Sequence, residues 1–131
     1  MIDETLRFEP TGHASARFVM HDIDYYGITL PAGSAMLLLQ ASANRDPRRY
    51  SDPDVFDIHR EDIQHLTFGF GLHFCLGAAL ARLEGRVALE EILRRWQAWD
   101  VDIERGQMAH TASVRGWGYL PVHPQKGSNH G

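Results

Sequence analysis

The chain has 131 residues, 44% hydrophobic and 23% charged, with 13 basic side chains against 17 acidic ones and a formal net charge of -4. That composition suits one modest globular domain, excludes an obviously disordered chain, and gives no electrostatic reason to expect nucleic acid or an anionic membrane as partner. A single cysteine, Cys75, excludes an intramolecular disulfide, a multi-cysteine zinc site and the paired thiols of a c-type haem attachment.

The opening "MIDETLRFEP" carries acidic residues where a signal peptide needs basic ones. The longest apolar run, Phe74 to Ala81, is far short of the roughly 20 residues that span a bilayer. The expected setting is therefore soluble and cytoplasmic. Ile2 and Leu6 lie four apart, Asp3 can cap, and Pro10 forces a stop, which predicts a short first helix. From Ala16 to Leu39, "ARFVM", "IDYYGITL" and "AMLLLQ" read as strands of a small antiparallel sheet. "PAGS" reads as a turn with Pro31 and Gly33 in its middle positions. "NRDPRRYSDPDVFDIHREDIQHL" has two prolines and no sustained period, so it is a long irregular segment of the kind that usually carries function. In "LGAALARLEGRVALEEILRRW", Leu76, Leu80, Leu83 and Val87 form one stripe that Ile92, Leu93 and Trp96 continue, predicting a long helix. The remainder suggests two or three short strands, with 124–131 a flexible tail.

Cys75 lies in "FGFGLHFCLG", where a glycine-rich run meets the start of the long helix. The partial positive charge and unpaired N–H groups of a helix N-terminus favour a thiolate over a thiol. Gly69, Gly71 and Gly77 leave room for a large flat ligand to approach the main chain, and Phe68, Phe70 and Phe74 can shield the sulfur from water. These features suit a single axial bond to a metal such as haem iron. The other reading is an inert cysteine in a packed core, and position alone does not separate the two.

Phe68, Gly71, His73, Cys75 and Gly77 spell F-x-x-G-x-H-x-C-x-G, which resembles the haem-binding signature of the cytochrome P450 family, and "CLGAALARLE" resembles its soluble bacterial branch. Glu4 and Arg7 in "ETLR" match that family's E-x-x-R motif. On its own such a pair is an ordinary solvated helix pair. "ANRDPRRYSDPDVFDIHR" resembles the family's meander region, with Arg60 at the arginine that completes a buried Glu-Arg-Arg network.

The resemblance implies a mainly α fold with a small antiparallel β component (α+β). Residues 1–131 would form the C-terminal haem-binding portion: E-x-x-R helix, small sheet, meander, cysteine-ligand loop, long helix and terminal β-hairpin. It implies haem b, with Cys75 as axial iron ligand and His73, Arg17, Phe68, Gly69 and Gly77 around the cofactor. His73 and Arg17 match positions that meet the propionates, although for Arg17 a solvated strand arginine is an equal alternative. Glu4, Arg7 and Arg60 would be structural. "HTASV", His110 to Val114, corresponds to a hairpin bordering the substrate. A complete enzyme of this kind is a monooxygenase that places one oxygen atom of dioxygen on a small organic substrate, with electrons from NAD(P)H through a ferredoxin or flavoprotein and no membrane or nucleic acid. No acidic-Thr pair of the oxygen-activating helix occurs here, so no catalytic residue beyond the haem ligand is identifiable, and a truncated or non-catalytic haem-binding fragment is the alternative.

Other patterns carry less. "GFGLHF" has Phe74 where a dinucleotide fingerprint needs its third glycine. His59, His65 and His73 have no recognised ligand spacing and read as solvated or capping residues. Trp96, Trp99 and Trp117 read as core or sheet packing. Arg82, Arg86, Arg94 and Arg95 read as a solvated helix face, with docking of an electron donor at Arg82 or Arg86 a lesser alternative.

Overall fold

The computed structural model describes residues 1–61, 63–111 and 114–125. Helix α1, Ile2–Phe8, carries Asp3 and Glu4 in its first turn and Arg7 in its last, the arrangement that complements the helix dipole. The cap position falls on Met1, with no side-chain cap. Asp3 is therefore inside the helix instead of capping it, and its carboxylate turns to Arg82 on another helix. The chain leaves helical geometry at Glu9, just before Pro10.

Strand β1, Ser15–Phe18, pairs antiparallel with β4, Ala35–Leu38, so that Arg17 faces Met36. Between them β2, Ile23–Tyr25, and β3, Ile28–Leu30, form a separate hairpin. "IDYYGITL" is thus two strands, because Tyr26 (φ 50°) and Gly27 (φ 79°) both adopt left-handed geometry, as a tight hairpin turn requires. In "PAGS" the Ser34 N–H donates to the Pro31 carbonyl, which makes Ala32 and Gly33 the middle residues. Gly33 supplies the positive φ of 85° that such a turn requires.

A single turn, α2 (Gln40–Ala43), leads into the long irregular segment. The cysteine loop follows, with one 3-10 turn at Gly71–His73, and then helix α3, Ala78–Arg95. Helix α1 packs on α3 at Gly85, where an added Cβ would come within 3.3 Å of Ile2 Cδ1. Beyond it, β5 (Ala98–Val101) pairs with β8 (Val122–Gln125), and β6 (Gln107–Met108) with β7 (Trp117–Tyr119), all antiparallel. Pro124 and Gln125, placed by sequence in the tail, belong to β8, and 126–131 lie outside the described residues. The Arg115 N–H donates to Thr11 O, tying this region to the end of α1.

The buried centre is mostly polar: Glu4, Arg7, Asn44 and Val19 are the largest fully enclosed side chains, joined by Tyr50 and Ala78. The α3 stripe reads as apolar yet faces outward, with Leu80, Leu83 and Val87 all exposed. Trp96 and Trp99 line an apolar cleft of about 370 Å³ with Leu89, Ile92, Val122 and Pro124 instead of filling a core. Among the described residues no helix is long and apolar enough to cross a membrane.

Candidate functional site

Two neighbouring clusters make up the site, one ionic and one around the thiol. Arg7 meets Glu4 through two parallel hydrogen bonds, Nε to Oε2 at 2.7 Å and Nη2 to Oε1 at 2.8 Å, with both side chains sealed from solvent. Helical i,i+3 spacing brings the two onto one face. The remaining Arg7 donors satisfy carbonyls of the irregular segment: Nη1 reaches Asn44 O and Pro53 O at 2.9 Å, and Nη2 reaches Val55 O at 3.1 Å. Arg60 joins from 56 residues away, its Nε 3.4 Å from Glu4 Oε1, while its other donors hold Ser51 O, Asp52 O and Val55 O. The Asp57 N–H also donates to Glu4 Oε1. Burial alone would raise the Glu4 pKa, but the Arg7 guanidinium, the Asp57 N–H and the charge of Arg60 bring it down to about 2. The pair is fully ionised and nearly saturated with hydrogen bonds, the condition under which buried charge is tolerated.

Sequence reading missed Asn44, which completes this cluster. It is fully buried, accepts from the Leu66 N–H at 2.7 Å, and donates to Thr67 Oγ1 at 2.9 Å. The Thr67 hydroxyl in turn donates to Leu6 O at 2.6 Å. Asn44 thereby links the irregular segment to the entry of the cysteine loop. Tyr50 adds a hydroxyl bond to Gln64 O at 2.7 Å and offers its ring to Arg7, 5.2 Å from guanidinium carbon to centroid.

The cysteine loop begins two residues after Asn44's contact at Leu66. Gly69 (φ 74°) and Gly71 (φ 68°) turn the chain back through conformations that favour glycine, and the Cys75 N–H closes the loop onto Phe68 O at 2.8 Å. The Cys75 carbonyl accepts from the Ala78 N–H, so the thiol stands just before the first turn of α3. A Cβ at Gly77 would lie 3.9 Å from Cys75 Sγ, and a Cβ at Gly71 would meet nothing.

Cys75 is exposed and does not lie in a core packed by the described residues. Its expected aromatic cover is also absent: Phe70 and Phe74 are exposed, and only Phe68 is partly enclosed, 6.5 Å from Phe74 in an edge-on contact. The strong turns at Gly69 and Gly71 aim Phe70 outward. Along the chain on either side of the thiol, Phe70, Leu72, Phe74, Leu76 and Leu80 are all exposed. His73 ends the 3-10 turn and is exposed beside it. Arg17 is half-buried on β1 and donates to the adjacent Ala16 O. No hydrogen bond or ion pair among the described residues joins Arg17 to His73 or Cys75. "HTASV" falls partly outside the described residues, at positions 112 and 113.

Two further readings change. His65 is not solvated: its side chain is 1% exposed and bonded to Asp3 at 3.2 Å. Arg82 is partly exposed but is not simply solvated, because its Nε binds Asp3 Oδ1 at 2.7 Å. Arg86, Arg94 and Arg95 do pair with Glu90 or Glu91 on the exposed side of α3.

The family model described as Cytochrome P450 matches residues 1–112 of this chain. The chain belongs to the cytochrome P450 family. The cytochrome P450 123 sequence of Mycobacterium tuberculosis is 46% identical over 125 residues, covering 95% of this chain and 31% of that protein. Cytochrome P450 monooxygenase PikC of Streptomyces venezuelae is 39% identical over 133 residues, covering 99% of this chain and 32% of PikC. Among solved structures, substrate-free CYP109E1 from Bacillus megaterium superposes with a TM-score of 0.90 at 34% identity, over 96% of this chain and 33% of that one. The chain therefore spans about a third of the length of the P450 relatives it matches. Helices with small antiparallel hairpins, in the order expected of the C-terminal P450 portion, are what these relatives share with it.

Proposed function

We propose that this chain supplies the haem-thiolate site of a monooxygenase, with Cys75 as the axial ligand of haem b. The observation that carries the reading is the exposed Cys75 thiol, in a loop held by the bond from its N–H to Phe68 O and flanked in sequence by the exposed apolar residues Phe70, Leu72, Phe74 and Leu76. A large planar apolar ring held by one sulfur bond would suit an exposed thiol in such a loop, and Gly69 and Gly77 would leave the main chain accessible to it. When bound, the haem supplies dioxygen chemistry that places one oxygen atom on a small organic substrate.

The residues of this chain have separate tasks in that reading. Cys75 holds the iron. Phe68 and Gly77 shape the near side of the loop, and Gly69 keeps its turn. His73 and Arg17 meet the propionates as hydrogen-bond donors, Arg17 by releasing the Ala16 carbonyl. Glu4, Arg7 and Arg60 keep the irregular segment fixed against α1 and touch no substrate. Electrons come from NAD(P)H through a ferredoxin or flavoprotein. The exposed Leu80, Leu83 and Val87 favour a second reading for the 131 residues on their own, a haem-binding fragment without turnover, because among the described residues that stripe is left open.

The test is the reduced carbon monoxide difference spectrum of the haem-loaded protein beside Cys75→Ser. A strongly red-shifted thiolate band is expected for the parent and none for the variant, and an unchanged band in Cys75→Ser refutes the ligand assignment. Product formation with a reductase then separates an enzyme from a binder.

A further inference from the structure

Four side chains outside the ionic cluster converge on the entrance of the cysteine loop. His65 is almost wholly enclosed. Its Nδ1 accepts from the Thr67 N–H at 3.3 Å, which places the ring proton on Nε2, and that proton is donated to Asp3 Oδ1 at 3.2 Å. The same carboxylate oxygen accepts from Arg82 Nε at 2.7 Å. The Arg82 guanidinium then lies over the Phe68 ring, 4.8 Å from its centroid, and the His65 ring packs 5.6 Å from the same ring. Phe68 is held by both, and its carbonyl is the acceptor for the Cys75 N–H.

We propose that Asp3, His65 and Arg82 form a positioning triad that fixes the Cys75 loop against α1 and α3 by clamping Phe68. Three segments far apart in sequence meet there, and each contributes one member. Asp3 is the shared hinge, since losing it leaves both His65 Nε2–H and Arg82 Nε–H without that acceptor. His65 is the least replaceable member, because an enclosed ring whose two nitrogens are both bonded has no equivalent among other side chains. Arg82 contributes a flat cation that both pairs with Asp3 and stacks on an aromatic face, which lysine does not reproduce. None of the three touches the sulfur, so their effect passes through the position of Phe68.

The consequence at the iron rests on the haem-thiolate reading, but the clamp is measurable without it. Amide hydrogen exchange at Cys75 reads the bond to Phe68 O directly, and exchange at Arg17 and Met36 in the β1–β4 pair reports whether the fold as a whole has loosened. His65→Phe keeps an enclosed ring and removes both hydrogen bonds; it is expected to speed exchange at Cys75 about tenfold with β1–β4 unchanged. Arg82→Lys keeps the charge and loses the stacking, and is expected to give about a threefold rise. In the haem-loaded protein, His65→Phe is also expected to lose part of the thiolate-type carbon monoxide band. Cys75 exchange within twofold of the parent in both variants, or equal acceleration at β1–β4, overturns the proposal. A parent protein with no thiolate band removes the haem-thiolate reading instead, and leaves the exchange result to decide the clamp.

Discussion

Arg7 holds Glu4 by two parallel hydrogen bonds within a single helix turn, and neither side chain reaches solvent. The pair is local in sequence but its purpose is long-range, since the spare donors of Arg7 fix carbonyls at positions 44, 53 and 55. Glu4→Gln keeps shape and removes the charge, leaving the Arg7 guanidinium enclosed without its counter-ion. The expected cost is about 3–5 kcal/mol, the range for breaking a buried pair by removing one partner. Arg60→Ala should cost less, because Arg60 stands at the edge with a longer contact of 3.4 Å to Glu4. Denaturant midpoints and the yield of haem-loaded protein check the order, and an Arg60→Ala cost equal to that of Glu4→Gln would contradict it.

The same carboxylate sets an acid limit. The Glu4 pKa falls from 4.5 to about 2 on folding, so the unfolded chain binds a proton at higher pH than the native one. Stability from this group is complete above the unfolded value and is lost as pH falls toward the folded value. The expected loss is about 3 kcal/mol between roughly pH 5 and pH 2. Asp3, also lowered through Arg82 and His65 despite partial burial, adds in the same direction. Glu4→Gln should flatten this acid limb, and denaturant titrations at several pH values measure it. An unchanged slope would show that Glu4 is not the responsible group.

Asn44→Ala tests the link between the ionic cluster and the cysteine loop. The substitution strands the Leu66 N–H and removes the donor to Thr67 Oγ1, while the backbone carbonyl that Arg7 uses stays in place. A part-buried N–H left without its acceptor and a small cavity at the buried Asn44 position together predict a loss of about 2 kcal/mol. Thermal or denaturant unfolding reads the size, and faster amide exchange at Leu66 and Thr67 than at Arg17 locates it. A loss below about 0.5 kcal/mol, the ordinary surface value, would show that Asn44 fills space without bridging.

Much of this was legible wherever the signal is short-range. The spacing of Glu4 with Arg7, and of Phe68, Gly71, His73, Cys75 and Gly77, is written in consecutive residues, and the long stripe of α3 has an unambiguous period. Asn44, His65 and Arg82 were not legible, because the side chains they bond to lie between 17 and 79 residues away and each type is common on surfaces. An asparagine ahead of "RDPRR" looks like turn chemistry, and an arginine on an amphipathic helix looks solvated. The two-strand nature of "IDYYGITL" had one usable signal, the glycine at position 27, but a tyrosine at φ 50° beside it is an uncommon choice. The outward aim of the apolar α3 stripe was not legible, because its period alone reads as a core face.

The two loop glycines give a graded prediction about the thiol. Gly69 and Gly71 both have positive φ, so alanine at either carries a backbone penalty of about 1 kcal/mol. At Gly71 an added Cβ meets open space and nothing further is lost. At Gly69 the Cβ comes within 3.3 Å of the His73 carbonyl oxygen, a backbone atom inside the turn that precedes Cys75. Relief of that contact has to move the His73 to Cys75 segment, and so lengthens the bond from the Cys75 N–H to Phe68 O. Gly69→Ala is therefore expected to cost about 2–3 kcal/mol, adding strain at the loop to the backbone penalty, and to shift the thiolate spectrum. Gly71→Ala should leave that spectrum as it was. Equal effects in stability and spectrum would mean that only φ matters at this loop, and that the close approach to His73 does not.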